Sequence, residues 1–337
     1  MPIQNYPTVF DCTEMTAAVN KLPARPFFFK PLFEVKGVKT TTVSLDIRKG
    51  RIVLIGDSER NTAPESLAGR GAKREWKHLS CAHLAMSDTL APEDLQDVRA
   101  FGSTEPISVA EVYNDKMQQL KDNMTATMEF HRLGAIKGVV LDADGTTVLH
   151  DIFKTFGVTK KTLPILFPKT AADDANPIQT SILNAKRHVE AAMGGTPFSH
   201  IECIIGSDAY DMLTSHVLVR KYFEDWLARQ QNFGDNDYRK RGFTYGGLTF
   251  VERSDVVGGQ TMVAAKKGHV YPVGPGIFKQ YHAPADWMET VNTMGLEYYA
   301  RMDVKEKSRG IDIEVQTNPL TLCTYPEALV ELDFKAA

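Results

Sequence analysis

From Tyr113 through Met117, Leu120, Met124 and Met128 to His131, residues of one stripe recur at spacings of three and four, the period of a helix with one apolar face. Its start is marked by Ser108-Val109-Ala110-Glu111, a capping box: the serine hydroxyl accepts from an amide of the first turn and the glutamate reaches back. Running from Ser108 to about Leu133, this helix has roughly 25 residues and a length of ~38 Å. A single long helix with one apolar face needs a sheet to lie on. A second helix is bounded on both sides: Asn176 is its N-cap, Pro177 its first residue, and Gly194 follows the last turn after Met193. IECII (201–205) reads as a buried strand, and DAYDML (208–213) and VLVRKYFEDWLARQ (217–230) read as helices. From Phe243 onward strands dominate. TMGLEYYARMDVKEKSRGIDIEVQ (293–316) alternates on both sides of a turn near Ser308-Arg309-Gly310.

The first third of the chain is different. Pro2, Pro7, Pro23, Pro26 and Pro31 interrupt residues 1–38, which read as an irregular arm. Its cluster PFFFKPLF (26–33) is too apolar to remain in water and must be buried in its own core or a neighbour's. TTTVSLDI (40–47) and RIVLI (51–55) read as a hairpin around RKGR. The polar, glycine-containing stretch from Gly56 to Trp76 cannot form a core and reads as the tip of a long projecting hairpin. The chain holds no internal repeat and no steady βαβ rhythm, so the fold class is α+β.

Composition narrows the function. With 337 residues, 24% charged, 43% hydrophobic and a net charge of −3, this is an ordinary globular chain of one large or two modest domains. Nothing marks nucleic-acid binding as its main task. Cys12, Cys81, Cys203 and Cys323 are scattered, as in a protein whose thiols stay reduced. No basic and apolar leader opens the sequence, and no apolar run approaches the ~18 residues of a membrane span. A soluble protein made inside a cell, with no membrane partner, is the expectation.

One stretch invites a catalytic reading. VVLDADGTTVL (139–149) resembles the first motif of the haloacid-dehalogenase-type phosphatases, in which the first Asp attacks a phosphoryl group and the second is an acid/base. On that reading Asp142 and Asp144 would make a magnesium-dependent phosphatase. That fold, however, sends the strand into a crossover helix. Here TTVLHDIF continues as a second alternating segment, and Asp-Gly between two such runs signals a hairpin whose two central residues take positive φ. The later phosphatase motifs are missing, and in IIGSDAYD (204–211) Ser207 interrupts the usual Gly-Asp. Asp144 and Gly145 therefore read as a structural turn.

Other chemistry is weaker still. Neither a Walker-type phosphate loop nor a nucleophile elbow is present. GRGAKR (69–74) neither follows a strand nor opens a helix. His78, Cys81 and His83 lack a fourth ligand at zinc spacing and read as residues along a half-buried strand. Arg239-Lys240-Arg241 reads as a solvated turn, and the methionine stripe as core. No catalytic, cofactor-binding or metal site is expected.

Good folding signals without a catalytic constellation, together with a sticky arm and a projecting hairpin, suggest self-assembly. The blocks that carry a resemblance are RAFGSTEPISVAEVYNDKMQQLKDNMTATMEFHRLGAIKGVVLDADGTTVLHDIF (99–153), IECIIGSDAYDMLTSHVLVRKYF (201–223) and EYYARMDVKEKSRGIDIEVQTNPLTLCTYPEALVEL (297–332). In order and spacing they resemble the major capsid proteins of lambda-type tailed bacteriophages, the capsid protein E family with the Hong Kong 97 capsid fold. The resemblance runs from Arg25 to Phe334. It implies an N-terminal arm (1–38), an extended loop (39–85), a peripheral domain (86–170 and 291–337) with a spine helix at about 108–133, and an axial domain (171–290).

What it implies for function is a structural shell subunit of the virion, made and assembled in the cytoplasm of a bacterial host. Its partners would be copies of itself in pentamers and hexamers, a scaffolding protein, a portal protein, and packaged double-stranded DNA by non-specific contact. Decoration proteins often bind outside such shells. The candidate inter-subunit contacts are Phe27, Phe28, Phe29 and Phe33 of the arm, with Leu32 beside them, and Arg60, Glu65, Arg70, Lys73 and Arg74 of the loop. An encapsulin-like nanocompartment shell is the alternative within the same fold. Purified protein supplied with magnesium and an aryl phosphate is expected to show no turnover; hydrolysis abolished by Asp142→Asn would restore the phosphatase reading.

Overall fold

Segregation of helix and strand follows from where the apolar period changes along the chain. The computed structural model describes residues 12–23, 28–48, 74–94, 96, 109–168, 176–230, 238–306 and 309–336. In chain order the elements begin with α1 (Cys12–Lys21), β1 (Phe33–Gly37), β2 (Thr42–Arg48), β3 (Arg74–Ser80), β4 (Leu84–Leu90) and α2 (Val109–Lys137). There follow β5 (Val139–Leu141), β6 (Val148–Asp151), α3 (Ile152–Phe156), β7 (Lys161–Phe167), α4 (Pro177–Met193), β8 (His200–Ile205), α5 (Ser207–Ser215) and α6 (Val217–Gln230). Next come α7 (Tyr238–Arg241), β9 (Phe243–Tyr245), β10 (Leu248–Glu252), β11 (Val256–Val257), β12 (Gln260–Thr261) and β13 (Lys267–Val273). The last are β14 (Phe278–His282), β15 (Tyr299–Val304), β16 (Ile311–Thr317), β17 (Pro319–Cys323) and β18 (Val330–Ala336). By contacts the chain divides into two compact units. One comprises Met1–Val43, Leu79–Arg132 and Lys279–Thr321, the other Ser44–His78, Leu133–Phe278 and Leu322–Ala337.

In the first unit α2 has the sheet it needs. Strands β15, β16 and β4 lie in that order, all antiparallel, with Ala300 opposite Val315 and Val315 opposite Met86. Met117, Leu120, Met124 and Met128 of α2 share one core with Ala300, Ile313 and Val315 of the sheet and with Tyr298 just before β15. Met15 and Val19 of α1 complete it, which the irregular arm read from the sequence did not include. The ten residues CTEMTAAVNK lie between Pro7 and Pro23, free of proline, and bury Met15, Thr16 and Val19 at helical spacing. A further sheet has the order β1-β14-β17. Beside it, a Cβ on Gly295 would stand 1.9 Å from the His282 carbonyl oxygen, so only glycine passes there.

The second unit is built on a mixed six-stranded sheet of order β7-β18-β13-β8-β10-β9. β8 runs parallel to β10 with Cys203 opposite Phe250, and antiparallel to β13. β7 runs parallel to β18 with Ile165 opposite Phe334. Helix α4 buries Ile178, Ile182, Ala185, Val189 and Met193, and its caps are those read from the sequence: Asn176 accepts from Gln179 N, and Gly194 is left-handed. The sequence reading placed β7 and β18 in one domain and β8, β10 and β13 in another. The ladder joins them, because strand partners far apart in sequence leave no local signal.

Two buried histidines give the fold a pH dependence. Burial, reinforced by the nearby Lys137 charge, pushes the His269 imidazole down to about 3, and burial pushes that of His282 down to about 4. In the unfolded chain both would take up a proton near 6.5. Between these values the unfolded state binds protons that the native state refuses, so this stability is present above about pH 6.5 and is lost as pH falls toward 4. Thermal midpoints are expected to drop over that range, and less steeply in His269→Gln. Identical pH slopes for the two proteins would show that His269 is not buried as a neutral ring.

Candidate assembly surfaces

The phosphatase-like stretch is a closed hairpin. β5 pairs antiparallel with β6, Val140 opposite His150, and Asp142 N donates to Thr147 O at 2.8 Å. The Asp144 carboxylate accepts from Thr146 N and Thr147 N, each at 2.8 Å, and from the Thr147 hydroxyl at 2.6 Å. The Thr147 hydroxyl and these amides hold it well below the usual carboxylate range. Asp142 Oδ1 accepts from Ala143 N at 2.8 Å. Gly145 has φ +69°, whereas Asp144 does not take positive φ. The connection is thus the longer loop Asp142–Thr147 rather than the two-residue turn read from the sequence, because the Asp144 carboxylate, bonding three groups ahead of it, organises a wider bend. Both carboxylates are occupied by their own loop.

The histidine cluster does not converge either. His78 Nδ1 lies 2.9 Å from Ser44 Oγ, while His83 Nδ1 lies 2.7 Å from Gln316 Nε2 and 3.0 Å from Asn318 Oδ1. Among the described residues no group of three metal-ligating side chains comes together. Arg239 and its neighbours form the short helix α7, with Arg239 Nη1 3.8 Å from Glu252.

The N-terminal segment is held along α2 by polar bonds to its backbone. Lys121 Nζ donates to Val19 O at 2.8 Å and Leu22 O at 2.7 Å, and Gln118 Nε2 donates to Pro23 O at 3.0 Å. Phe29 N donates to Glu129 Oε1 at 2.6 Å. Glu129 Oε2 in turn accepts from Arg132 Nη1 at 3.1 Å, and Arg132 Nε donates to Gln280 Oε1 at 2.8 Å. Lys30 Nζ reaches Glu297 at 2.7 Å. Lys121, Glu129 and Arg132 are 2%, 4% and 0% exposed, so these are buried charges. The sequence reading passed over them because a charge beside an apolar stripe normally faces water.

Of the two fates left open for the arm's phenylalanines, its own core or a neighbour's, two of them take the first. Phe29 and Phe33 are buried within this chain, Phe29 with its ring edge-on to the half-buried Phe28 at 5.1 Å. Leu32 is half-buried. Phe27, Arg60, Glu65, Arg70 and Lys73 lie outside the described residues, as do the strand read at RIVLI and most of GRGAKR. Arg74 opens β3, and β3 pairs with β2, so the segments on either side of residues 49–73 form one ladder.

The sequence reading also missed an apolar ledge. Met288 is 88% exposed, and Val291, Met294 and Leu296 are exposed beside it in sequence. The loop beneath is fixed: Thr290 Oγ1 donates to Ala285 O at 2.8 Å and to Trp287 O at 2.9 Å. Gly295 N donates to Val38 O at 2.9 Å, and the Trp287 ring stands edge-on to Tyr299 at 6.2 Å.

Residues 11–334 match the family model for phage major capsid protein E. The chain belongs to that family. It is 25% identical over 353 residues to the major capsid protein of Pseudomonas phage KPP10, covering 98% of each protein. To the major capsid protein of Salmonella phage Felix O1 it is 25% identical over 360 residues, covering 96% of each. The capsid of Ralstonia phage GP4 is similar in fold, with a TM-score of 0.53 at 12% identity, covering 90% of this chain and 87% of that one. The fold is accordingly the Hong Kong 97 capsid fold, and a member of the phage major capsid protein E family is a structural component of the virion, not an enzyme. Neither the nanocompartment nor the phosphatase alternative finds support.

Gly145 tests the hairpin directly. A β-branched residue at its positive φ is strained by about 1–3 kcal/mol, and its Cβ would also stand 2.5 Å from the flexible Gln260 side chain. Gly145→Val is expected to lower the thermal midpoint and folded yield, and Gly145→Asn to be tolerated. Equal midpoints for the two would contradict the turn geometry.

Proposed function

We propose that this chain assembles with copies of itself into pentamers and hexamers that close an icosahedral phage head around packaged DNA. The family match over residues 11–334 carries this reading. In it, the first compact unit serves as the peripheral domain with α2 as its spine, and the six-stranded sheet of the second is the centre of the axial domain. The β2–β3 ladder is the base of the extended loop. Relative to the boundaries read from the sequence, β7 and β18 move to the axial domain with the sheet they belong to. Assembly would take place in the host cytoplasm on a scaffolding protein, with a portal protein at one vertex and a decoration protein as a further outside partner.

The contacts this requires are heterologous, one surface of a subunit meeting a different surface of the next, and such contacts close into rings when the rotation allows. Glu59, Arg60, Glu65, Arg70, Lys73, Arg74 and Glu75 give the loop charges of both signs. Rim charges of this kind set register more than affinity and are screened by salt. By electron microscopy, protein at high concentration or beside its scaffold is expected to form rings and closed shells, and a variant lacking 56–75 is expected to fold without closing a shell. A protein that stays monomeric under all these conditions would end the capsid reading.

A further inference from the structure

The N-terminal segment raises a question that apolar packing cannot answer: what fixes its position along α2? Met15 and Val19 are one helical turn apart and both enter the core that Met117, Leu120 and Met124 share. Sliding α1 by one turn would put one of these apolar side chains in the other's place and keep only part of the burial. Hydrophobic contact alone therefore specifies this register weakly.

Thr16 and Asn20 tie α1 to the strand side, Asn20 Nδ2 donating to Tyr298 O at 3.0 Å and the Thr16 hydroxyl accepting from Ala300 N at 3.3 Å, and Lys121 removes the ambiguity along α2. Its ammonium carries three donors and no acceptor. Two of them go to Val19 O and Leu22 O, at the C-terminal end of α1, where carbonyls have no partner within the helix. The ammonium also lies 5.1 Å from the centre of the Tyr298 ring. Only a helix terminus offers two such carbonyls together, so this charge recognises where α1 ends rather than which side chains it bears. Glu129 acts in the same way farther along α2, accepting from the Phe29 amide while Arg132 holds its other oxygen. Burying such charges is costly: replacing a whole buried set with well-packed apolar groups often stabilises a protein, whereas removing one member leaves its partners unsatisfied. What a buried charge can supply instead is registry.

We propose that Lys121 and Glu129 are positioning residues that set the register of the N-terminal segment on α2, and that correct assembly depends on this register more than stability does. The assembly half rests on the proposed capsid function; the register half does not. A misregistered α1 would leave part of the Met117–Met124 face uncovered, and subunits would then associate through that face instead of through their shell contacts.

The test is Lys121→Met, which keeps length and apolar volume but loses the ammonium, with Glu129→Gln, which keeps an acceptor for the Phe29 amide but takes the carboxylate from the buried Arg132, as the second variant. Lys121→Met is expected to fold with a thermal midpoint lowered by no more than a few degrees, the cost of two carbonyls left without a donor. Its α1 amides should exchange hydrogen, and its chain be cut by trypsin after Lys21, at least about tenfold faster, the loss expected for one charge-assisted anchor. Under conditions in which the wild type closes shells, it should give aggregates or open particles, and Glu129→Gln should give an intermediate yield. Unchanged exchange and cleavage would overturn the register assignment, as would a midpoint that falls in step with assembly, since that is what a merely stabilising contact would do. If exchange rises but shells form normally, the dependence of assembly on register is overturned. Wild-type protein that forms no shells counts against the capsid function, while the exchange comparison still decides the register.

Discussion

A helix of 29 residues with one apolar face is the constraint on which the first unit depends. Isolated in water it would be marginal, since most helical stability in proteins comes from burying the amphipathic face. The sheet β15-β16-β4 supplies one wall, and α1 covers what the sheet leaves open. The alternation of 293–316 is the sheet's answer to the same demand: its inward positions Ala300, Ile313 and Val315 are fully buried, whereas Asp303 and Lys305 are exposed.

The polar bonds along α2 belong to a different order of control. An interior can be filled by many apolar combinations, and filling it does not fix which turn of one helix lies over which turn of another. Backbone carbonyls and amides are the same at every residue, but they are unpaired only where an element begins or ends. Charges directed at them therefore read secondary-structure boundaries. In a protein whose surface must meet other copies accurately, the stability given up for such markers has an evident use.

Much of this fold is legible in the amino-acid sequence. The stripe of α2, both caps of α4, the strand IECII and the hairpin at Asp144-Gly145 are local, each readable within a window of about 18 residues. The rest is not legible because it depends on distant partners. Nothing in CTEMTAAVNK announces that Lys121, some hundred positions away, will cap it. Nothing in KTLPILF announces that its neighbour is the last strand. The buried charges of α2 have no local signal, because charges beside an apolar stripe usually face water. The apolar ledge at Met288 was missed because Met294 and Leu296 alternate like the strand that follows, which begins only at Tyr299; their loop is fixed from below by Thr290, Trp287 and Gly295.

The Asp142-Ala143-Asp144-Gly145-Thr146 stretch shows how far a short motif can be trusted. An acidic side chain that accepts from amides two and three residues ahead stabilises a bend, glycine supplies the positive φ, Thr146 contributes its amide, and the Thr147 hydroxyl just past the stretch completes the loop. These are turn requirements, and they select the same letters as a nucleophile, an acid/base and a flexible hinge. The second strand separates the two cases. A catalytic strand must hand its carboxylates to a cleft, and in a phosphatase it leads to a parallel crossover. Here the next strand returns antiparallel at once, and both carboxylates point back into their own backbone. Chemistry is excluded at this site by the direction of that second strand, which the alternation of TTVLHDIF already encodes.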